Sequence, residues 1–410
     1  MRPLQLLIIS SLVPTRSRPD VGLFVARQIR LLCRQGLAVR VVVPRLYLPR
    51  PLLKYTQWPE LSDAQLALPQ DAPARRAWYF RPPGAAFTRY EGAAKAPAVR
   101  WVARKWHAAR PFDVVLGIDM TSDAVAAVRC ARDLSIPVAN LAIGSDVMLR
   151  PRLYPGLAAL LTTTLAQTDL PIGVSQATCA ALSAAGPCRR TPLCVYLGRE
   201  PAQPPDAQAR AALRAELGFD ASDVVAIFVG RLTDEKGLIE LGAALETLLV
   251  ERPRLRLIAL GDGPHRAALQ ALALRAGRPN AILLLGRVTP AQVTRHLAAA
   301  DFMVFPSRSE GLPQAVLEAM DQRLPVVATR VGGIPEAVLH EQTGLLVAAH
   351  DARALQAAMT RMIDDSNFRS AAAAAGFERA RSVFDSERNA QCLAEALREL
   401  VSAQRSSTLA

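Results

Sequence analysis

The stretch Val224-Val225-Ala226-Ile227-Phe228-Val229-Gly230-Arg231-Leu232-Thr233-Asp234-Glu235-Lys236-Gly237 runs six apolar residues together, then a glycine, then two cations around a polar turn. Apolar side chains at both odd and even positions mark a strand buried on both faces, as in a parallel sheet covered by helices. Similar runs recur near 255–260, 281–285, 302–305, 325–328 and 344–347, and toward the N-terminus near 4–9, 39–43, 113–117, 137–142 and 170–174, with helical patterns between them. The alternation predicts two doubly wound α/β domains. They join near residue 200, where Pro201-Ala202-Gln203-Pro204-Pro205-Asp206 can continue neither a helix nor an inner strand and reads as a linker. Asp385 is placed to cap a final amphipathic helix running to about Ser402.

A chain of 410 residues, 51% apolar and with a mean hydropathy of +0.16, has material for more than one core and is not disordered over most of its length. Its apolar runs Leu4–Val13 and Tyr154–Ala166 are broken by serines, threonines and Gln5, short of the roughly 18 residues that cross a bilayer. Met1 to Ile9 carries one Arg before an apolar stretch, but no small-residue cleavage motif follows, so it reads as a buried first strand. The six cysteines are scattered without C-x-x-C spacing, the pattern of reduced thiols in a cytoplasmic protein rather than of disulfides or a zinc site.

The net charge of +13 is unevenly placed. Residues 1–198 hold 25 Lys and Arg against 11 Asp and Glu, a balance of +14, whereas residues 199–410 balance at −1. Within the first half, Arg75 to Arg110 carries nine basic residues, the single acid Glu91 and seven interleaved aromatics. An anionic partner is expected there: membrane lipid or a phosphate-linked acceptor, with a plain solvated face as the alternative. Nucleic acid is disfavoured, because no nucleic-acid motif accompanies the charge.

In an open α/β sheet, ligands bind at the carboxyl ends of the strands. Gly230, Arg231 and Lys236 follow one such end, and the planar fork of Arg231 with the point charge of Lys236 suits a diphosphate. Gly261-Asp262-Gly263-Pro264 and Gly286-Arg287-Val288 end the next two strands at the same rim, where glycine lets a ligand approach the backbone. The richest constellation is Pro306-Ser307-Arg308-Ser309-Glu310-Gly311-Leu312-Pro313-Gln314-Ala315-Val316-Leu317-Glu318, a strand end, a glycine loop and a helix opened by Pro313. Backbone N–H groups near Leu312 to Gln314 would offer a phosphate or sugar hydroxyl the positive end of a helix. Were the segment helical throughout, Glu310 and Glu318 would stand roughly 12 Å apart, too far to share one water and better suited to the two ends of a long hydroxyl-rich ligand.

Gly230-Arg231-Leu232, Glu235-Lys236-Gly237, Gly261-Asp262-Gly263-Pro264, the Glu310 to Glu318 spacing, and Val331-Gly332-Gly333-Ile334-Pro335-Glu336 with Gly344-Leu345-Leu346-Val347 together resemble glycosyltransferase family 4. The likeness covers nearly all of residues 220–350. It implies two Rossmann-like domains facing across a cleft, the glycosyltransferase B type. Residues 1–198 would be the acceptor-binding domain, 199–384 the nucleotide-sugar-binding domain, and 385–410 a helix crossing back to the first domain, with a tail. It further implies retention of anomeric configuration and no cofactor or obligatory metal. By the same resemblance Arg231 and Lys236 bind and stabilise the departing diphosphate, Glu310 the donor sugar, Glu318 the ribose hydroxyls, and the backbone around Arg287 and Val288 the base. Gly230, Gly261, Gly311, Leu312 and Pro313 line the donor. In the first domain Gly22 resembles the family's first loop, where a glycine lets the chain approach donor phosphate and acceptor.

Asp113 to Leu116 and Gly144 to Val147 resemble segments where many members carry histidines, yet here Gly117, Asp119 and Ile143 occupy them and the first histidine is His107. Asp119 or Asp146 is the candidate sugar or acceptor contact in their place, Asp146 being equally suited to capping a helix. Val195-Tyr196-Leu197-Gly198-Arg199-Glu200 also departs from the asparagine-containing pattern common there. The expectation is a transferase taking a hexosyl group from a UDP- or GDP-linked sugar to a cell-surface or lipid-linked glycan, as a peripheral protein on the cytoplasmic face of the membrane. The alternative is a sugar-nucleotide-binding subunit of a glycan-assembly complex that has lost catalysis. An epimerase or phosphorylase of the same architecture fits less well, for no lysine stands out for a pyridoxal cofactor.

Overall fold

The computed structural model describes residues 2–16, 18, 21–47, 66–199, 204 and 206–409. The chain divides into two compact units, Met1–Leu197 with Ser386–Ala410, and Gly198–Asp385. Most of the expected linker, 201–203 and 205, lies outside the described residues.

In the first unit seven strands, β1 (Gln5–Ile9), β2 (Ala38–Leu46), β3 (Ala74–Tyr79), β4 (Val114–Ile118), β5 (Val138–Ala142), β6 (Leu170–Gly173) and β7 (Leu193–Cys194), form one sheet in the order β3-β2-β1-β4-β5-β6-β7. Every pairing is parallel. The core packs Leu7, Val42 and Val115 of the sheet against Val99 and Val128 of the helices Glu91–Ala109 and Asp123–Leu134. The terminal helix Ser386–Leu409 belongs to this unit, with Ala390, Leu393, Leu397 and Leu400 buried at helical spacing. Polar contacts along it hold Glu387 to Arg34 at 2.8 Å, Arg398 to the Gln35 carbonyl at 2.6 Å and Arg405 to Asp113 at 2.6 Å.

In the second unit β8 (Val224–Val229), β9 (Leu255–Leu260), β10 (Ile282–Gly286), β11 (Phe302–Phe305), β12 (Val326–Thr329) and β13 (Gly344–Val347) form a parallel sheet in the order β10-β9-β8-β11-β12-β13. Leucines 238, 241, 245, 248 and 249 recur three and four apart along the helix Leu238–Glu251, and their burial against Leu257 and Phe302 fixes that helix on the sheet. Strand order reverses between β1 and β4 in one unit and between β8 and β11 in the other, and at such a switch point the loops diverge to leave a crevice.

Two strands depart from the sequence expectation. β7 has two residues, too few to show a pattern. β3 reads Ala-Arg-Arg-Ala-Trp-Tyr and takes its place by pairing Ala74 through Tyr79 with Val41 through Leu46 at the sheet edge, where one side needs no apolar partner. The basic stretch Arg75–Arg110 is thus three elements: β3, a 3₁₀ turn Ala85–Tyr90 and the helix Glu91–Ala109.

Candidate active site

In the second unit three strand ends meet through their backbones. Gly230 N–H donates to the Leu260 carbonyl at 2.9 Å, Gly261 N–H to the Gly286 carbonyl at 2.7 Å, and Leu232 N–H to the Asp262 carbonyl at 3.0 Å. A Cβ on Gly261 would collide with the Gly230 carbonyl, so the glycine is required by the neighbouring loop as much as by any ligand. Arg287 is exposed and Val288 half-buried beyond the end of β10.

Beyond Gly230 the chain turns through Asp234–Lys236 into Gly237, whose φ of +74° caps the helix Leu238–Glu251. A side chain there would strike the Pro306 carbonyl, and Arg308 N–H donates to the Glu235 carbonyl at 2.9 Å, so the turn after β8 and the loop after β11 are fastened together. That contact brings Lys236 and Glu310 together across 74 residues of sequence, Nζ to Oε1 at 2.5 Å, both side chains mostly buried. Lys236 also stands 5.8 Å from the centroid of the Phe305 ring. Arg231 lies outside this pair: its side chain is 59% exposed and held by Glu235 at 2.8 Å.

The glycine loop continues through Gly311, whose carbonyl accepts from Gly333 N–H at 3.0 Å, to the buried Leu312. Pro313 is the N-cap residue of the helix Gln314–Asp321. Glu310 therefore stands in a loop four residues ahead of the helix, and the 12 Å separation reckoned for a continuous helix does not describe this pair. Glu318, on the helix, is engaged by Arg199, Nη1 to Oε1 at 3.1 Å. Sequence reasoning missed Arg199. The one signal was that its segment broke the expected pattern. Also missed was Arg308, whose guanidinium reaches the buried Glu240 at 2.6 Å and pins the loop that carries Glu310.

In the first unit Gly22 (φ +71°) caps the helix Leu23–Arg34, and a Cβ there would collide with the Leu12 carbonyl. Asp119 follows β4 with φ +82° and accepts from Arg150 at 2.6 Å and from Thr121 N–H at 2.9 Å. Asp146 is fully buried and takes backbone N–H groups of Met120 at 2.8 Å, Ile143 at 3.0 Å and Gly144 at 2.9 Å. Burial, followed by the charge of Asp119, pushes its carboxyl up to about 7. Its oxygens tie the segment after β4 to the turn after β5 through these three N–H groups.

The larger surprise lies beside it. Lys95, in the helix Glu91–Ala109, is 1% exposed, with its ammonium 2.8 Å from Asp123, 2.8 Å from Glu91, 2.9 Å from Ser11 Oγ and 2.5 Å from Ser122 Oγ. Burial alone would raise Glu91, but Lys95 first and then Arg81 outweigh it and hold its carboxyl at about 2. Elsewhere in the basic stretch Arg100 engages Asp133 at 2.6 Å, Arg104 engages the same carboxylate, and Arg81 faces Glu91 at 3.8 Å. The balance of +8 counted from sequence therefore overstates the charge this stretch presents.

Residues 209–379 match the family model of glycosyl transferases, group 1. The chain is 28% identical over 395 residues, 95% of its length and 97% of the relative's, to the putative teichuronic acid biosynthesis glycosyltransferase TuaC of Bacillus subtilis. Among solved structures it is similar to Anabaena HepE in complex with UDP-glucose (TM-score 0.73, 20% identity, 97% of this chain and 100% of that one). Sucrose-phosphate synthase of Thermosynechococcus elongatus is similar with a TM-score of 0.78 and 19% identity, over 98% of this chain and 100% of that one. The fold is that of the glycosyltransferase B type, two parallel-sheet α/β domains.

Proposed function

We propose that the chain is a retaining glycosyltransferase that moves a hexosyl group from a nucleoside-diphosphate sugar to a glycan or lipid-linked acceptor of the cell surface. The observation that carries this reading is the meeting of Lys236 and Glu310 at the carboxyl ends of β8 and β11: a cation for a diphosphate beside an acceptor group for sugar hydroxyls. The group 1 match over residues 209–379 and the likeness to TuaC support the same reaction class.

In the proposed reaction the bond from the anomeric carbon to the diphosphate breaks, and the electron pair leaves with the diphosphate. Lys236 and Arg231 take up the charge that develops there. The acceptor hydroxyl closes on the same face of the sugar and passes its proton to the departing diphosphate oxygen, which preserves the anomeric configuration without a protein base. Glu310 fixes the sugar through its hydroxyls, Glu318 the ribose, and the N–H groups of Leu312 and Gln314 the phosphate side, as the helix dipole favours. The backbone at Arg287 and Val288 borders the base. The two cations supply the counter-charge that a divalent metal supplies in other transferases, so turnover is expected to persist in a chelator. Asp119, anchored by Arg150 on a strained backbone, is the first unit's candidate for an acceptor hydroxyl.

The first unit also offers a surface for an anionic membrane. Trp78, Phe80, Phe87, Tyr90 and Trp101 are all exposed along β3, the 3₁₀ turn and the following helix. Arg89 stacks 4.6 Å from the Tyr90 ring centroid and Lys105 stands 3.8 Å from that of Trp101. Amphipathic aromatics beside cations suit the headgroup boundary. Among the described residues no helix is long and apolar enough to cross a membrane, so the association proposed is peripheral.

The test is to incubate the chain with a panel of UDP- and GDP-linked sugars and lipid-linked acceptors, with and without a chelator, following nucleoside diphosphate release and the anomeric proton of the product. Retained configuration in a transferred sugar supports the proposal. Donor binding with no hydrolysis or transfer to any acceptor favours the non-catalytic subunit.

A further inference from the structure

Glu318 and Asp321 lie three residues apart on the helix Gln314–Asp321, so their carboxylates share one side of it. Asp321 is 4% exposed. Two carboxylates on one side of a helix, one of them buried, repel each other, and a cation between them offsets that repulsion. That cation is Arg199: Nη1 is 3.1 Å from Glu318 Oε1, Nε is 3.5 Å from Asp321 Oδ2, and Nη2 donates to Thr294 Oγ1 at 3.4 Å.

Arg199 is itself fixed at its backbone. Its N–H donates to the Phe384 carbonyl at 3.2 Å, and it forms a β-bridge with Asp385. The residue thus belongs to the paired segments by which the chain enters and leaves the second unit, while its guanidinium reaches the helix that carries Glu318. A planar fork anchored on Asp321 and Thr294 can hold Glu318 in a single orientation, which a flexible ammonium does less well.

We infer that Arg199 is a positioning residue for nucleotide recognition: it keeps Glu318 aimed, and so sets the preference for ribose over 2′-deoxyribose. The inference rests on the assignment of Glu318 to the ribose in the proposed function. A carboxylate discriminates a diol from its deoxy analogue by accepting from the hydroxyl that the analogue lacks, and only if its orientation is fixed before the ligand arrives. Glu318 is suited to this, being partly exposed with its Oε1 held 3.1 Å from Arg199.

The experiment is calorimetric titration of the full chain with UDP, GDP and their 2′-deoxy counterparts, in the parent and in Arg199→Gln, Arg199→Lys, Glu318→Gln and the double variant Arg199→Gln with Glu318→Gln. The parent should bind its preferred ribonucleotide about tenfold or more tighter than the deoxy form, as one charged hydrogen bond allows. Arg199→Gln should weaken the ribonucleotide by about tenfold and leave the deoxynucleotide within about twofold, collapsing the ratio. Arg199→Lys, which keeps the charge beside Asp321 and guards against loss of folding, should restore part of it. The double variant should lose no more than either single one, because both act through the same contact. An unchanged ribose preference in Arg199→Gln and Arg199→Lys, or tighter ribonucleotide binding in either, would overturn the inference and leave the donor assignment standing. A parent that binds none of the four nucleotides overturns both.

Discussion

The two sheets share a topology and treat charge at their carboxyl ends in opposite ways. After β8 and β11 the ionised groups are paired yet reachable: Lys236 with Glu310, Arg199 with Glu318, Arg231 with Glu235 on the surface. After β1 and β4 the central groups are sealed, Lys95 against Asp123, Ser11 and Ser122 and Asp146 under three backbone N–H groups, while Glu91 and the Asp119–Arg150 pair at the edge keep an exposure like that of Lys236 and Glu310. A mostly buried pair that keeps one edge toward solvent can exchange its partner for a ligand's phosphate or hydroxyl, because water and ligand repay the separated charges. A sealed pair cannot, since parting it strands a charge in low dielectric. On the proposed function, the strand ends of the second unit serve ligand exchange, whereas the sealed groups of the first serve architecture.

The largest effect should come from breaking the sealed side. Lys95→Met leaves Asp123 and Glu91 without their shared counter-charge and is expected to cost about 3 to 5 kcal/mol of stability. Thermal unfolding should show a transition several degrees lower, while nucleoside diphosphate binding at low temperature is retained, because the cations proposed to hold the diphosphate, Lys236 and Arg231, lie in the other unit. The pH dependence has a definite sign. Glu91 has a folded-state value near 2, below its ordinary 4.5, so its contribution is present above about pH 4.5 and is lost as pH falls toward 2. Glu91→Gln should therefore destabilise at neutral pH and converge with the parent in acid. A difference that is constant from pH 7 to pH 2 would show that the Lys95 cluster is not electrostatic.

On the exchangeable side, Lys236→Ala should lower kcat by about 10²-fold with the melting temperature nearly unchanged, the loss typical of one contact to a developing oxyanion. Arg231→Ala should act in the same direction, although Arg231 must first leave Glu235. Near-normal turnover in both variants would remove the diphosphate from this rim. Smaller and more selective effects follow at the two acids. Glu318→Gln should weaken free nucleoside diphosphate and sugar nucleotide alike by about 1 to 3 kcal/mol, whereas Glu310→Gln should weaken chiefly the sugar nucleotide. Equal losses for both ligands in both variants would contradict the assignment of the acids to opposite ends of the donor.

How much of this was legible in the sequence divides along the same line. Strands apolar on both faces, such as Val224–Val229 and Phe302–Phe305, declare themselves without partners, and so did most of the two sheets. β3 did not, because an edge strand with arginines at 75 and 76 acquires its identity only from its pairing with β2. The candidate rim at the strand ends was legible because its glycines, cations and acids cluster in short motifs; the Lys236–Glu310 contact itself was not, since it depends on a loop closure across 74 residues. Lys95 was invisible for the converse reason. A lysine on an alanine-rich helix reads as solvated until Asp123 and Ser11 are brought over it. Arg199 left only a broken pattern as its trace, and its partners lie about 100 residues away or more.

The smallest effect sharpens the contrast at the surface. The first unit's excess charge is partly consumed: Lys95 is buried, Arg100 and Arg104 share Asp133, and Arg81 faces Glu91. Removing Arg100 or Arg104 would therefore disturb an ion pair as well as any lipid contact, and Lys105 and Trp101 are the better probes, being stacked together on the exposed face of their helix. Each basic side chain near an anionic bilayer contributes about 1 kcal/mol, so Lys105→Gln should reduce binding to phosphatidylglycerol-containing vesicles roughly fivefold at low salt. Trp101→Ala should add to that loss through its buried area. The Lys105 effect should fade as salt shortens the Debye length to about 8 Å at physiological ionic strength, the Trp101 effect should persist, and donor hydrolysis in solution should be unaltered by either. Co-sedimentation that ignores lipid charge at low salt would leave the aromatic and basic face of the first unit without a membrane role, and the contrast between the units would rest on their strand ends alone.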